Sequence, residues 1–256
     1  MQFSKWHALG NSYLLVERAE LGRPLDAGQA RLLCDVRYGI GADGVLEVVS
    51  VAGARAAIVI WNPDGSVAEF SGNGSRIAAA WLAGRAETEE VTIEVSGRTY
   101  PAALRDDGTI AMGVGDVEVG ETETIELEGE RVELTAVSVG NPHAVIRSTA
   151  TRDELLRLGP MIETHPRFAQ RTNVQLVRVD GRNELTVLVW ERGAGETTAS
   201  GSSAVAAAAA AVTNGWCESP VRIRMPGGEM RVELDDAARI TLIGRAEQIC
   251  EGELAV

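Results

Sequence analysis

The chain has 256 residues, a hydrophobic fraction of 45% and a formal net charge of −13. The hydrophobic fraction predicts a folded core and argues against global disorder. The negative charge argues against nucleic acid or an anionic membrane surface as a partner. No apolar run approaches the roughly 18 residues that a membrane-spanning helix needs.

The cysteines and the first residues indicate a reducing compartment. The cysteines are Cys34, Cys217 and Cys250, and their spacings match no zinc or redox motif. We interpret them as small buried hydrophobic residues. The N-terminal segment contains several charged side chains and no apolar signal region, so the predicted localisation is cytoplasmic.

Strands dominate the predicted secondary structure, beginning with an N-terminal strand that contains Lys5. Alternating apolar segments predict further strands, of which the clearest end at Trp61 and Trp190. Gly84 and Gly215 are typical of the ends of helices. The four predicted helices cover about residues 26–36, 75–83, 153–163 and 202–213. Because strands and helices alternate too irregularly for a doubly wound sheet, the predicted class is α+β.

Three pairs of segments recur in the same order at an offset of 129 or 130 residues, which indicates a duplicated domain. The expected architecture is two similar lobes, residues 1–115 and 116–246. We assign the last residues, about 247–256, to the first lobe. The recurring residues are Asn11 with Asn141, Trp61 with Trp190, and Ser71 with Ser200.

Two segments rich in serine and glycine, residues 71–74 and 200–203, are each predicted to lie between a strand and a helix. Glycine lets backbone N–H groups approach a ligand, and the start of a helix adds unpaired N–H groups and partial positive charge. Taken alone, each segment is more simply a helix cap supplied by serine. As a matched pair in a duplicated chain, the two segments favour the binding of one carboxylate in a shared cleft.

A carboxylate clamp of this kind suits α-proton exchange on an amino acid. Removal of the α-proton moves charge onto the carboxylate, where fixed N–H donors stabilise it. Inversion needs one base on each face of the α-carbon, and the repeat supplies two equivalent positions, Ser71 and Ser200. Lys5 is the only lysine, and no metal-binding cluster is evident, so we expect no cofactor and no metal.

Seven segments of the chain match the motifs of a known family in the same order. They are HALGNSYLLVE, YGIGADGVL, WNPDGSVAEFSGNGSR, VGNPHAV, LGPMIETHPRF, RTNVQLV and ERGAGETTASGSSA. Through these segments the sequence resembles the diaminopimelate epimerase family along nearly its whole length. The resemblance implies two pseudo-symmetric lobes of the diaminopimelate epimerase-like fold, with the active site in the cleft between them. It also implies an isomerase of lysine biosynthesis that interconverts LL- and meso-diaminopimelate without pyridoxal phosphate.

The resemblance further implies roles for individual residues. Arg192 matches the residue that pairs with the distal carboxylate of the substrate, where a planar guanidinium suits the geometry. Glu191 matches an acidic residue near the substrate amino group, and His143 matches a histidine beside the bases. On the residues alone, Glu191 and Arg192 could equally form a salt bridge at a strand end, and His143 could be a packed turn histidine. The other implied substrate-binding positions are Asn11, Asn62, Gly72, Asn73, Asn141, Asn173, Gly201 and Ser202.

The chain departs from the family pattern at the two base positions. The family has cysteine there, in segments of the form C-G-N-G and C-G-T-G, whereas this chain has Ser71 and Ser200. An alkoxide is harder to form than a thiolate by about 5 pKa units, or on the order of 7 kcal/mol. A neighbouring base could recover part of that difference, and the candidates are His143 and Glu191.

Several alternatives to an ordinary diaminopimelate epimerase stay open. One is a related isomerase that acts on another substrate. Another is a catalytically impaired or non-catalytic binder of a dicarboxylic amino acid, whether naturally degenerate or a form in which cysteine was replaced by serine. The retained asparagines, Glu191 and Arg192 favour diaminopimelate over another substrate. The expected partner is a small amino acid, with a homodimer as the candidate assembly.

Overall fold

The computed structural model describes residues 1–235 and 239–254. The chain divides into two units: Met1–Gly113 together with the chain from Gly244 onward, and Val114–Ile243. Each unit consists of a mostly antiparallel sheet and one long helix that packs on it, with shorter helices beside them. The predicted α+β class is therefore confirmed.

In the first unit the strands pair in the order β18, β1, β2, β3, β4, β6, β7, β8, and the short β5 pairs with β4. The pairs β2–β3 and β4–β6 are parallel, and the others are antiparallel. The elements are β1 (Gln2–Ala8), β2 (Asn11–Glu17), α1 (Arg18–Leu21), α2 (Ala27–Cys34), β3 (Val45–Ala52), β4 (Arg55–Trp61), β5 (Val67–Ala68), α3 (Gly72–Ala86), β6 (Glu90–Val95), β7 (Arg98–Leu104), β8 (Thr109–Gly113) and β18 (Glu247–Glu253).

The second unit repeats this topology. Its strands pair in the order β9, β10, β11, β12, β13, β15, β16, β17, with β14 beside β13, and the pairs β11–β12 and β13–β15 are parallel. The elements are β9 (Glu118–Leu127), β10 (Glu130–Ser138), β11 (Pro142–Arg147), α4 (Arg152–Glu163), β12 (Asn173–Gly181), β13 (Glu184–Glu191), β14 (Gly195–Thr197), α5 (Gly201–Thr213), β15 (Val221–Met225), β16 (Gly228–Leu234) and β17 (Ile240–Arg245).

The long helix of each unit packs on its sheet, and small side chains let α5 lie inside the core. Helix α3 contacts β1, β2, β4, β6, β7 and β8, and α5 contacts β9–β13, β15 and β16. Residues 206–211 of α5 are all alanine and all buried. A helix that is apolar on every side belongs in a core. In the described ranges no helix is both long and apolar enough to cross a membrane.

Three sequence expectations are corrected here. Helix α3 begins at Gly72, so the glycine-rich segment after Ser71 forms its first turn and is not a loop. Gly84 lies inside α3, and the left-handed position that ends the helix is taken by Glu87, with φ 51°. Cys34 and Cys217 are buried as predicted. Cys250 is exposed, because almost all of β18 is exposed.

Candidate active site

Ser71 lies at the start of α3, where it is the N-cap residue with an extended backbone. Its Oγ accepts a hydrogen bond from the backbone N–H of Gly74 at 3.0 Å, which satisfies one of the unpaired donors of the first turn. A Cβ at residue 74 would lie 3.0 Å from Leu46 Cδ2 and 3.3 Å from Ser71 Oγ. Glycine at position 74 therefore lets the first turn close tightly around the serine.

Tyr13 contacts the same serine from strand β2. Its hydroxyl lies 3.0 Å from Ser71 Oγ, and the tyrosine is only 7% exposed. Glycine at position 44 leaves room for the ring, because a Cβ there would lie 2.5 Å from it. Sequence reasoning missed Tyr13. The repeat held the signal, since the offset that pairs Asn11 with Asn141 pairs Tyr13 with His143.

A polar network continues through the first turn of α3. Asn73 donates from Nδ2 to Asn11 Oδ1 at 3.1 Å and accepts from Arg76 Nη2 at 2.7 Å. Arg76 is fully buried, and in the described ranges its Nε and Nη1 have no hydrogen-bond partner. Burial lowers the pKa of Arg76 to about 10, so the guanidinium is still charged at neutral pH. The network therefore joins the predicted residues Asn11 and Asn73 to a buried cation.

Ser200 occupies the equivalent N-cap position of α5 but differs from Ser71 in its bonding. It is buried, and its side chain makes no capping hydrogen bond. Gly201 and Ser202 form the first turn and are buried as well. Ser203 Oγ accepts a hydrogen bond from Gln175 Nε2 at 3.0 Å. The two predicted base positions are therefore alike in backbone and unlike in side-chain contacts.

His143 is buried in the second unit and hydrogen-bonded through both ring nitrogens. Gln175 Nε2 donates to Nδ1 at 3.0 Å, so the proton of the neutral ring lies on Nε2, which contacts Asn141 Oδ1 at 2.9 Å. Burial lowers the pKa of His143 to about 3, and the positive charge of Arg192 acts in the same direction. A neutral imidazole with both nitrogens bound is a weak base, and its catalytic role stays a prediction.

The predicted substrate-binding residues at the end of β13 lie close together. Asn173 accepts a hydrogen bond from the backbone N–H of Arg192 at 3.0 Å and donates from Nδ2 to the carbonyl of Pro142 at 3.0 Å. The side chain of Arg192 is exposed and donates to the carbonyl of Gln170 at 3.2 Å. Glu191 is half-buried beside it. Asn173 thus fixes the backbone from which the guanidinium extends.

Asn62 lies in the turn that follows β4. Its Nδ2 donates to Ser66 Oγ at 2.9 Å, and its backbone N–H donates to the Ser66 carbonyl at 2.8 Å. Gly65 has φ 83°, which a tight turn requires. This agrees with the turn that Pro63-Asp64-Gly65 indicates in the sequence.

Gln175 and Arg76 were missed because their importance comes only from tertiary contacts. Gln175 lies in a strand that reads as ordinary core, and Arg76 lies in a helix among alanines. Within residues 1–235 and 239–254, no group of three or more His, Cys, Asp or Glu side chains is arranged to hold a metal ion. Burial raises the pKa of Cys34 to about 11, which makes that thiol a poor candidate for a base.

The sequence matches known proteins over its whole length. The diaminopimelate epimerase family matches residues 3–120 and 135–249. A protein named diaminopimelate epimerase 2 from Nostoc sp. is 37% identical over 273 residues, which cover 100% of this chain and 96% of that protein. A diaminopimelate epimerase from Moorella thermoacetica is 37% identical over 275 residues, with 99% of each chain covered.

Solved structures share the fold at lower identity. A hydroxyproline epimerase from Agrobacterium vitis has a TM-score of 0.74 at 15% identity, over 98% of this chain and 91% of that chain. A phenazine biosynthesis protein from Bacillus anthracis has a TM-score of 0.74 at 14% identity, over 100% of this chain and 99% of that chain. The predicted epimerase-like fold is confirmed. With its full-length relatives at 37% identity, the chain belongs to the diaminopimelate epimerase family of isomerases.

Proposed function

We propose that this chain interconverts LL- and meso-diaminopimelate by two-base α-proton exchange without a cofactor. The observation that carries the proposal is the repeated helix start, in which Ser71 and Ser200 are N-cap residues of equivalent helices in units of one topology. Relatives that span the whole chain and are named diaminopimelate epimerase support the choice of substrate.

The substrate α-carboxylate is assigned to the first turns of α3 and α5. Such turns present backbone N–H groups and partial positive charge to an anion. The residues concerned are Gly72 and Asn73 in α3, and Gly201 and Ser202 in α5. Because the charge on the carboxylate grows as the α-proton leaves, donors fixed in place stabilise the transition state more than the bound substrate.

Ser71 and Ser200 are assigned as the bases on opposite faces of the α-carbon. One oxygen removes the α-proton, and the electron pair of the C–H bond is delocalised into the carboxylate. The other hydroxyl returns a proton to the opposite face, and the roles exchange in the reverse direction. Because an alkoxide is less accessible than a thiolate by about 5 pKa units, we expect slow turnover.

The distal end of the substrate is assigned to Arg192. A guanidinium can bind a carboxylate through two parallel hydrogen bonds. The hydrogen bond from the Arg192 backbone N–H to Asn173 holds the start of that side chain in place. We assign Glu191 to a substrate amino group, and Asn11, Asn62 and Asn141 to the remaining polar contacts.

A non-catalytic binder of a dicarboxylic amino acid is the second candidate. It is favoured by the bonding of Ser71, whose Oγ already accepts the N–H of Gly74 and contacts Tyr13. A serine used as a helix cap can retain the carboxylate site while it contributes nothing to proton transfer.

Deuterium exchange separates the two candidates. LL-Diaminopimelate is incubated in D₂O with the protein, with Ser71→Cys, with Ser200→Cys and with the double variant. The α-deuterium is followed by NMR, and the product is resolved by chiral chromatography. We expect slow inversion by the protein itself and inversion faster by about 10²-fold or more in the double variant, because a thiol is the stronger acid.

The matched control is Ser50→Cys, which places a thiol at an exposed position of β3 and should change nothing. If all variants bind diaminopimelate in calorimetry and none exchanges deuterium, the protein is a binder. If none binds, the substrate assignment is wrong.

A further inference from the structure

Tyr13 and His143 occupy equivalent positions in the two units. Each lies two residues after an asparagine of the repeat, on β2 and β11 respectively. Each also faces the start of the long helix of its unit. His143 connects through Gln175 to Ser203, whereas Tyr13 contacts the N-cap oxygen of Ser71 directly, at 3.0 Å.

We propose that Tyr13 is a proton-relay residue that makes Ser71 a competent base. The inference rests on the proposed function. As Ser71 Oγ takes the substrate α-proton, it passes its own proton to the phenolate oxygen of Tyr13. The electron pair of the C–H bond stays on the substrate, and Tyr13 becomes a neutral phenol. The reverse transfer restores both groups.

A phenol suits this task better than a second aliphatic hydroxyl. Phenols ordinarily titrate near pH 10, several units below serine, so a phenolate is a more accessible proton acceptor than a second alkoxide. The Gly74 N–H donates to Ser71 Oγ at 3.0 Å and stabilises negative charge on that oxygen during the transfer. The ring packs so closely on the backbone of Gly44 that a Cβ there would lie 2.5 Å from it.

Charged groups lie on the elements that pack against Tyr13. Trp6 of β1 is the cross-strand partner of Tyr13, so the neighbours of Trp6, Lys5 and His7, point to the other face of the sheet. On the adjoining loop, the carboxylate of Asp43 accepts two hydrogen bonds from Ser12.

Helix α3 packs against the core that contains Tyr13. Its cations are Arg76, which is fully buried, and Arg85, which is bound to Glu17.

The relay predicts that the two base positions differ. Ser200 makes no capping hydrogen bond, and both ring nitrogens of His143 are bound to amide side chains. The repeat therefore supplies a directly bonded titratable partner to Ser71, whereas the hydrogen bonds from His143 lead through Gln175 to Ser203 and not to Ser200.

The test compares Tyr13→Phe in two backgrounds that both carry Ser200→Cys. With Ser71 present, we expect Tyr13→Phe to slow α-deuterium exchange by about 10²-fold and to reduce its rise with pH toward 10 to the part that comes from ionisation of the introduced thiol. With Ser71→Cys, the thiolate needs no relay, so the same substitution should change the rate less than about 3-fold. Tyr100→Phe is the matched control, since it removes another buried phenol from the same core.

The outcomes separate this inference from the proposed function. Equal slowing by Tyr13→Phe in both backgrounds would show that Tyr13 has a structural role and would overturn the relay. The relay is also overturned if exchange by the protein with Ser71 stays undetectable up to pH 10. If the double cysteine variant does not exchange at all, the proposed function itself fails. Thermal unfolding of each variant checks that the fold is retained.

Discussion

The carboxylate of Glu163 accepts a hydrogen bond from the indole N–H of Trp190 at 2.7 Å. It also accepts the backbone N–H of Gly193 at 2.7 Å and binds Arg171. Because Glu163 is only 4% exposed, α4 ends in a buried anion that fixes the turn after β13. That turn carries Arg192, so the end of a helix sets the position of a predicted substrate contact.

Replacement of Glu163 by alanine should lower the free energy of unfolding by about 3 kcal/mol or more, because it leaves the indole and the Gly193 amide without their acceptor. Urea unfolding measures the change. Glu130→Ala is the control, since it breaks an exposed ion pair with Arg157 and should cost far less. If both variants lose the same amount, Glu163 does not anchor the turn.

Replacement of Arg192 by alanine should weaken diaminopimelate binding by about 10- to 100-fold, because a charge-assisted contact to the distal carboxylate is lost. Titration calorimetry gives the affinity. Lysine, which lacks that carboxylate, should bind weakly to the parent protein and equally weakly to Arg192→Ala. Arg222→Ala, at an exposed arginine of the same unit, is the control. Unchanged affinity for diaminopimelate would rule out the assignment.

The protein should lose stability as the pH falls from about 6.5 toward 3, in part through His143. Its folded-state pKa is about 3, below the ordinary value of 6.5, so between these values the unfolded chain binds a proton that the folded protein does not. The stability that the protein gains from a neutral His143 is complete above pH 6.5. Below that pH it decreases by up to about 1.4 kcal/mol per pH unit.

Urea unfolding at several pH values measures this slope. His143→Gln should flatten it. An equal slope in the parent protein and in His143→Gln would show that His143 is not held neutral.

Two glycine-to-alanine substitutions in the first unit should act in opposite directions. At Gly44 a Cβ would lie 2.5 Å from the Tyr13 ring and 2.7 Å from the Trp61 carbonyl oxygen, so Gly44→Ala should destabilise by about 2 kcal/mol. Gly84 lies in α3 with no atom within 4 Å of an added Cβ, so Gly84→Ala should stabilise by about 0.5 to 1 kcal/mol. Thermal unfolding measures both, and a shift of the same sign would contradict the packing argument.

The sequence predicted best those elements in which buried residues recur at a regular interval. Strand β13 alternates buried and partly buried residues, so its period is visible in the sequence. Strands β9 and β18 were missed because most of their side chains are exposed and polar. The start of α3 was placed three residues late because its glycines indicate a loop, whereas here they close the first turn around Ser71.

The sequence motifs identified the predicted site residues, whereas the contacts among these residues became visible only in the structure. The repeat identified Ser71 and Ser200, but it did not show that the first is a bonded cap and the second is not. Tyr13 and Gln175 look like ordinary strand residues in the sequence. Their hydrogen bonds to the helix starts depend on strand pairing over many residues, which local patterns do not encode.

The enclosure of α5 has a consequence for how this protein tolerates mutation. Its residues from Gly201 to Ala211 are all buried, so no side of the helix can accept a larger side chain without displacing a strand. A saturation scan should therefore find no tolerant stripe along α5. In α4, exposed and buried positions alternate, and tolerance should recur about every third or fourth residue. Among natural variants, invariance in α5 would accordingly reflect the volume available and would not by itself mark residues that take part in chemistry.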